Sequence, residues 1–250
     1  MRLFVFQLMK ENSVYFTSDL SEKMNEIFVK RFNASDFSLN PKTKLTVLEE
    51  CESVDMEKVI SEVGEDVTRK IFNGRFNNEK LPYADKFFDT YISTLSLMIV
   101  PNHHNQLAEA YRVLKDGGIA GFSVWGREKN SSLFTFLPEI LAEVGIPSPP
   151  PARTNFHLGV DKEALIDDVK AAGFSEAKAF YTMVNISVGG AGDFWFFVQN
   201  GQGAKDIFGN LNEEQNKKVK DTFFERFEER FGAKSTTGVS WETLIVIAKK

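Results

Sequence analysis

Cysteine, histidine and early glycine are scarce in this 250-residue chain. The single cysteine, Cys51, cannot form a disulfide within the chain, and no cysteine or histidine pair lies near it at the spacing of a zinc site. The first glycine is Gly64. We therefore expect no intramolecular disulfide, no metal site and a reducing, cytoplasmic location.

Long apolar runs and an excess of positive charge are also lacking. No apolar run reaches the ~18 to 20 residues that span a bilayer, and the segment Met1 to Gln7 has no small-residue cleavage site. The net charge of −5 argues against a protein that binds nucleic acid by neutralising phosphates. We expect no membrane span and no nucleic-acid partner.

Phenylalanine is abundant, with 24 copies, which indicates a bulky core or an aromatic-lined pocket. From about residue 86 onward, strand-like and helix-like segments alternate with glycines at the joints, a pattern typical of an α/β domain with a mostly parallel sheet. The last two predicted strands, Ala177 to Ser187 and Trp241 to Ala248, lie close to the chain end. This placement predicts an antiparallel edge strand in a single domain spanning residues 1–250.

Predicted elements also cover the less regular N-terminal third. Strands are expected over residues 13–18, 45–48, 87–95 and 119–125, and helices over 21–32, 56–63, 102–115 and 133–144. Asp161 is expected to cap a further helix, and Asn212 with Gln215 three residues later to open a long amphipathic one ending at Gly232. The motif Asp116-Gly117-Gly118 is expected to stop the helix that precedes it.

Three sequence blocks are more specific than this general pattern: LPYADKFFD at 81–89, ISTL at 92–95 and EAYRVLKDGG at 109–118. Together they resemble class I S-adenosylmethionine-dependent methyltransferases, and within them the ubiquinone/menaquinone methyltransferase-like set. Asp116 stands where that set usually has proline. The resemblance implies a Rossmann-like fold with helices on both faces of the sheet, and S-adenosylmethionine as cofactor.

The same resemblance implies a nucleoside-binding core over residues 13–126. Asp19 would accept hydrogen bonds from the ribose hydroxyls, and the other cofactor contacts would come from Met24, Asn77, Asn78, Thr94 and Leu95. Simpler interpretations stay open: Asp19 as a helix N-cap, Met24 as a core residue, and the two asparagines as ordinary turn formers.

The family's glycine-rich loop has no counterpart here. That loop lies ~20 residues before the ribose-binding acid, and counting back from Asp19 passes the start of the chain. The chain is then either a truncated form of a longer enzyme or a degenerate member. In both cases the family's first strand is missing, and we expect a homodimer or a partner chain to cover the exposed sheet edge.

Residues 127–250 are expected to supply substrate-side and C-terminal elements. We predict that the substrate contacts Arg127, Phe134, His157, Phe194 and Trp195, together with Trp125 at the end of the predicted strand 119–125. The bulky run that starts at Phe194 could instead begin a helix packed into the core. His103 and His104 are candidates for a general base, although transfer to a soft or ionised nucleophile needs none.

These observations favour S-adenosylmethionine-dependent methylation of a small, partly apolar acceptor. The alternative from a different class is a catalytically silent methyltransferase-fold protein that binds or scaffolds. Nucleotide-dependent redox chemistry is disfavoured, because it too requires the absent glycine loop. Since unrelated functions share one scaffold, the fold does not name the acceptor atom.

Overall fold

The computed structural model describes residues 12–36, 38–48, 53–147, 155–201, 204–232 and 238–250. Cys51 and the segment Met1 to Gln7 lie outside these ranges. The strands are β1 Ser13–Ser18, β2 Thr43–Val47, β3 Arg69–Gly74, β4 Phe88–Thr94, β5 Leu114–Trp125, β6 Glu176–Ile186 and β7 Val239–Lys249. The α-helices are α1 Glu22–Asn33, α2 Met56–Ser61, α3 His103–Val113, α4 Ser132–Glu143, α5 Lys162–Ala171, α6 Ala191–Gln199, α7 Ala204–Phe208 and α8 Glu213–Phe231.

Local sequence signals fix several helix ends as predicted. The Asn212 side chain accepts from the Gln215 amide, and the Gln215 side chain accepts from the Asn212 amide, so α8 begins with a reciprocal capping box. Asp161 accepts from the amides of Glu163 and Ala164 at the start of α5. These contacts confirm both predicted helix starts.

The strands form two sheets. The first has the order β1-β3-β2 and is entirely parallel, and the second has the order β4-β5-β7-β6. In the second sheet β4 is parallel to β5, whereas β7 runs antiparallel to both β5 and β6. The predicted Rossmann-like α/β class, with mostly parallel strands and an antiparallel edge, is confirmed.

Two details differ from the prediction. Strand β3 was not predicted, yet it is the centre of the first sheet. The helix expected to reach Lys115 and to stop at Asp116-Gly117-Gly118 ends earlier: α3 ends at Val113, and β5 already begins at Leu114. Gly117 adopts a φ of 79°, and the backbone of Lys250 bonds to both Gly117 and Gly118, so these glycines lie within the sheet.

The first sheet has helices on both faces because adjacent β3 side chains point in opposite directions. Ile71 packs against Phe28 and Phe32 of α1. Phe72 packs against Val63 and against residues of α2 on the other side. These residues are nearly inaccessible, so burial of both faces holds the sheet between the two helices.

A shared aromatic cluster connects the two sheets. Phe16 of β1 stacks on Phe72 at 4.6 Å and meets Phe88 of β4 edge-to-face at 5.5 Å. Within the described ranges, no strand pairs with both sheets. Among the described residues, no strand therefore joins the two sheets in place of the family's missing first strand.

Two larger cores lie around the second sheet. One packs α3 and α5 on the face that carries Phe122 and Val124. The other is formed mainly by α4, α6 and α8, with Phe223 and Phe227 at its centre. Across the described ranges, no helix combines the length and apolar character needed to cross a membrane.

Candidate functional site

The segments that follow β1 and β3 meet at the carboxyl edge of the first sheet. The Asp19 amide donates to the Gly74 carbonyl at 3.4 Å, and Arg75 Nε donates to the Leu20 carbonyl at 3.0 Å. Because these strands are parallel, their carboxyl ends share one edge, where open α/β sheets bind ligands. Asp19 is half-buried at this edge.

Ser21, rather than Asp19, is the N-cap of α1. Its hydroxyl accepts from the Met24 amide at 3.3 Å, whereas Asp19 Oδ1 accepts from the Ser21 amide at 3.0 Å and shapes the preceding turn. The interpretation of Asp19 as a simple cap is therefore wrong. Met24 is 44% exposed, which also excludes the interpretation of Met24 as a core residue.

Asn77 and Asn78 lie on a turn that reaches the end of β4. Asn77 Oδ1 accepts from the Glu79 amide at 2.9 Å, so this side chain does form a turn. Asn78 Nδ2 donates to Ser96 Oγ at 2.8 Å, which ties the turn to the segment after β4. Their roles toward a cofactor stay predictions.

Strained backbone follows directly at the carboxyl end of β4. Leu95 has a φ of 50°, which a bulky residue without glycine's freedom rarely adopts. Its amide donates to the Ser123 carbonyl at 2.9 Å and lies 3.2 Å from Ser123 Oγ. Such strain is concentrated at ligand sites. The predicted cofactor contacts Thr94 and Leu95 thus lie at this edge, Thr94 exposed and Leu95 half-buried.

A cavity of about 690 Å³ lies beside the Asp19 turn. It is formed by α1 and the carboxyl ends of β2 and β3, and its lining includes Asn25, Val29, Val47, Asn73 and Gly74. Asn25 Nδ2 donates to the Asp19 carbonyl at 2.7 Å and so joins the turn to the cavity. The Oδ1 atoms of Asn25 and Asn73 are buried without a hydrogen-bond partner among the described residues.

The sequence analysis missed Asn25 and Asn73. Asn25 lies on α1 after Asp19, but its amide matches no motif. Asn73 is the fifth residue of β3, a strand that was not predicted. A buried amide oxygen without a partner is energetically costly, so both positions are suited to accept a hydrogen bond from a ligand.

Three aromatic rings meet at the carboxyl end of β5. Trp125 lies 4.4 Å from Phe134 and 5.2 Å from Phe156 between ring centroids, and the latter two rings are 5.3 Å apart. Phe156 was not predicted. His157 follows it on an exposed part of the same loop. Trp125 and Phe134 thus lie against the loop that carries His157, and the role of all three toward a substrate stays a prediction.

The loop that carries Phe156 is fixed at Gly159. Tyr181 Oη donates to the carbonyls of Gly159 and Val160 at 3.1 and 3.2 Å. A Cβ atom at position 159 would overlap the carbonyl of Trp125, so only glycine fits this close approach.

We expect Gly159→Ala to lower the free energy of unfolding by ~1–3 kcal/mol, the usual cost of overpacking. The matched control is Gly192→Ala, because a Cβ atom there meets nothing within 4 Å and Gly192 lies within α6. Urea unfolding measures both variants. Equal stabilities would contradict the close approach at Gly159.

Arg127 is occupied by a structural ion pair rather than left open to a substrate. Its guanidinium donates to both carboxylate oxygens of Glu242 at 2.7 and 2.8 Å and lies over the Tyr181 ring at 4.1 Å. Asn130 Nδ2 also donates to Glu242. Hydrogen bonds from Arg127 and Asn130 lower the pKa of Glu242 from 4.5 to about 2, although desolvation opposes them.

This depressed pKa predicts an acid-sensitive contribution to stability. The contribution is complete above about pH 4.5 and is lost as pH falls toward about 2, because the unfolded carboxylate takes up its proton first. The difference in unfolding free energy between the wild-type chain and Glu242→Gln should therefore shrink across this window. Urea titrations at a series of pH values measure it, and a constant difference would overturn the prediction.

Phe194 and Trp195 do not line an open site. They are 1% and 7% exposed and pack in the α4–α6–α8 core, where Trp195 lies 5.0 Å from Phe223 between ring centroids. The structure supports the alternative interpretation, a helix start within the core, because these rings fall on the buried face of α6. They are therefore left out of the proposed substrate wall.

His103 and His104 begin α3, after the segment that follows β4. Asn102 caps this helix by accepting from the His104 amide at 3.0 Å. His103 Nε2 lies 3.1 Å from Asp168 Oδ2 of α5. Asp168 was not singled out in the sequence, since 65 residues separate it from His103. A role for either histidine as a general base stays a prediction.

Comparison with known proteins finds similarity over part of the chain. A family model described as "Methyltransferase domain" matches residues 3–122. A "Ubiquinone/menaquinone biosynthesis C-methyltransferase" of Methylobacterium nodulans is 37% identical over 83 residues, covering 31% of each chain. An "Uncharacterized protein" of Mycobacterium tuberculosis is 30% identical over 114 residues, covering 42% of this chain and 40% of the relative. The alignments thus span less than half of these relatives.

Among solved structures, a putative methyltransferase from Bacillus halodurans aligns over 100% of this chain and 97% of its own, with 17% identity and a TM-score of 0.43. The family match covers the LPYADKFFD block, the helix that follows it, and the segment carrying Asp19. Residues 3–122, just under half of the chain, are thus similar to the methyltransferase domain family.

Proposed function

We propose that this chain binds S-adenosylmethionine at the carboxyl edge of β1, β3 and β4 and transfers its methyl group to a small, partly apolar acceptor. The observation that carries the proposal is the half-buried Asp19 turn beside a cavity whose lining residues include Asn25 and Asn73, the buried amide oxygens of which have no hydrogen-bond partner among the described residues. A carboxylate near such acceptors suits a ligand rich in hydroxyl and amino donors, once side-chain movement brings these oxygens to the cavity wall.

The residues present fit the nucleoside half of this cofactor. Asp19 would accept from the ribose hydroxyls, the solution that dinucleotide-binding folds also use. The amide oxygens of Asn25 and Asn73 would accept from the remaining hydroxyl or amino groups, while Val29 and Val47 offer apolar contact to the base. The cavity volume lies within the usual range of small-molecule sites.

On the substrate side, the chain's own contribution is shape and exclusion of water. When bound, S-adenosylmethionine supplies a methyl group on a positively charged sulfur. Trp125, Phe134 and Phe156 would cover an apolar acceptor and hold its nucleophilic atom in line, since such transfers gain mainly from alignment and desolvation. No residue is assigned as a base: an acceptor that is already ionised has no proton to remove, and a neutral phenol or quinol would release its proton to water as the methyl group is transferred.

A catalytically silent binding or scaffold protein is the second candidate. The feature that favours it is in the sequence, because the 18 residues before Asp19 in the given chain contain no glycine. Pairing with a second copy or a partner chain along the sheet edge, and the cytoplasmic location, also stay predictions.

The proposal is tested by turnover of the full-length chain. Purified protein is incubated with S-adenosylmethionine and a panel of acceptors, in which substituted phenols and quinols are matched with charged amines and thiols of similar size. We expect release of S-adenosylhomocysteine above the acceptor-free rate with the apolar ring acceptors. Trp125→Ala should reduce this turnover, whereas Phe180→Ala, at an exposed position on β6, should not.

Release with charged acceptors alone would contradict the proposed acceptor class. Absence of turnover with every acceptor, combined with measurable cofactor binding, would favour the silent binding protein.

A further inference from the structure

We propose that His103, His104 and Asp168 form a binding site for Zn²⁺ between the start of α3 and the middle of α5. Each residue offers one ligand atom, and these atoms all lie within 4.8 Å of one another. Imidazole nitrogen and carboxylate oxygen are both established zinc ligands. The inference does not depend on cofactor binding.

The distances suit a single ion. His103 Nε2 lies 3.1 Å from Asp168 Oδ2, and His104 Nδ1 lies 4.0 Å from Asp168 Oδ1. Zinc bonds of ~2.0–2.2 Å in a tetrahedral arrangement place neighbouring ligand atoms about 3.3–3.6 Å apart. These two separations lie on either side of this value but involve different carboxylate oxygens, and the set of three ligand atoms spreads over up to 4.8 Å. Side-chain rotations would therefore be needed to close the site around an ion.

Packing below the cluster holds the two helices in place. Leu107 of α3 and Leu165 and Val169 of α5 are buried in one shared core, together with residues of the second sheet. At the start of α3, Glu79 Oε1 accepts from the Asn102 amide at 3.0 Å and fixes the turn before the histidines. Ligands on packed helices are positioned more precisely than ligands on loops.

The third histidine of the chain is close to the same cluster. The His157 ring lies 6.5 Å from the His103 ring, and the rings of His103 and His104 are 4.0 Å apart. All three histidines in the 250-residue sequence therefore gather at one place, although His157 is brought there by a separate loop. This grouping favours a metal that prefers nitrogen ligands over Mg²⁺ or Ca²⁺.

Three protein ligands leave the fourth zinc position for water or a substrate atom, as in catalytic zinc sites. The site lies next to the loop with Phe156, on the proposed substrate side. The sequence analysis expected no metal site because no cysteine or histidine pair lies near Cys51 at zinc spacing. That reasoning did not consider Asp168, which is 65 residues from His103 in sequence and is brought to it by the packing of α3 and α5.

The proposal is tested with full-length, tag-free protein in a Cys51→Ser background, so that neither an affinity tag nor the thiol binds zinc. Zn²⁺ is partitioned between the protein and a chromogenic chelator. We expect one ion per chain. Asp168→Asn and His104→Ala should each weaken zinc binding at least ~10-fold. Loss of a residue that only orients a zinc ligand already costs about 10- to 100-fold in affinity, and loss of a ligand should cost at least as much.

Asp167→Asn is the matched control, because it removes an equal charge from the neighbouring, exposed position of α5 and should leave affinity unchanged. Thermal unfolding of the metal-free variants verifies that they fold. A Co²⁺-loaded protein should show the visible absorption of a tetrahedral nitrogen–oxygen site, and His104→Ala should diminish it. Equal zinc affinity of the wild type, Asp168→Asn and Asp167→Asn, or no binding by the wild type, would overturn the proposal.

Discussion

Replacement of Phe223 by alanine is expected to lower the free energy of unfolding by ~3–5 kcal/mol, the range for deleting a fully buried aromatic side chain. Phe223 is completely buried and contacts the rings of Phe136, Phe194 and Trp195, with centroids 5.0 to 5.6 Å away. Its removal leaves a void between α4, α6 and α8 that these rigid rings cannot fill. Urea unfolding followed by tryptophan fluorescence measures the loss.

Phe196 provides the control for this change. It lies in α6 beside Trp195 but is 68% exposed, so Phe196→Ala should alter stability by no more than about 0.5 kcal/mol. A loss below about 1 kcal/mol for Phe223→Ala would mean that the α4–α6–α8 core is not packed as described.

Asp19→Asn is expected to weaken S-adenosylmethionine binding roughly ten- to hundredfold, because hydrogen bonds to a charged group contribute ~1.5–3 kcal/mol. Asparagine keeps an oxygen that can accept from the Ser21 amide, so the turn before α1 should persist. The change thus removes the charge while preserving the local structure. Fluorescence-monitored titration of both proteins compares the dissociation constants.

Asp55→Asn is the matched control. Asp55 caps α2 by accepting from the Lys58 amide, so the same substitution removes a similar carboxylate from another helix start. Its affinity for the cofactor should equal that of the wild type. If Asp19→Asn binds as tightly as Asp55→Asn, the carboxylate of Asp19 is not a ribose ligand.

Signals that act within a few residues were readable from the sequence. The capping box at Asn212, the cap at Asp161 and the alternation of apolar positions depend on neighbours along the chain, and these elements were predicted close to their observed bounds. The LPYADKFFD block likewise marked the turn that leads into β4, because its proline and aromatic residues have local roles.

Features that depend on distant contacts were not predictable. Strand β3 has only six residues, and it is a strand because β1 and β2 both pair with it. The cavity depends on how α1 lies against the ends of β2 and β3, so Asn25 and Asn73 gave no signal. Phe194 is buried because it packs against α8. The local sequence does not show this contact, so it could not decide between a buried helix start and an exposed aromatic loop.

Equilibrium dialysis of the wild-type, full-length chain against labelled S-adenosylmethionine measures most directly whether a nucleoside site exists at the Asp19 edge. We predict saturable binding of one molecule per chain in the micromolar range, displaced by S-adenosylhomocysteine. Absence of retained label at millimolar cofactor would contradict this, and the chain would then have the fold of its family without the capacity to bind the family's methyl donor.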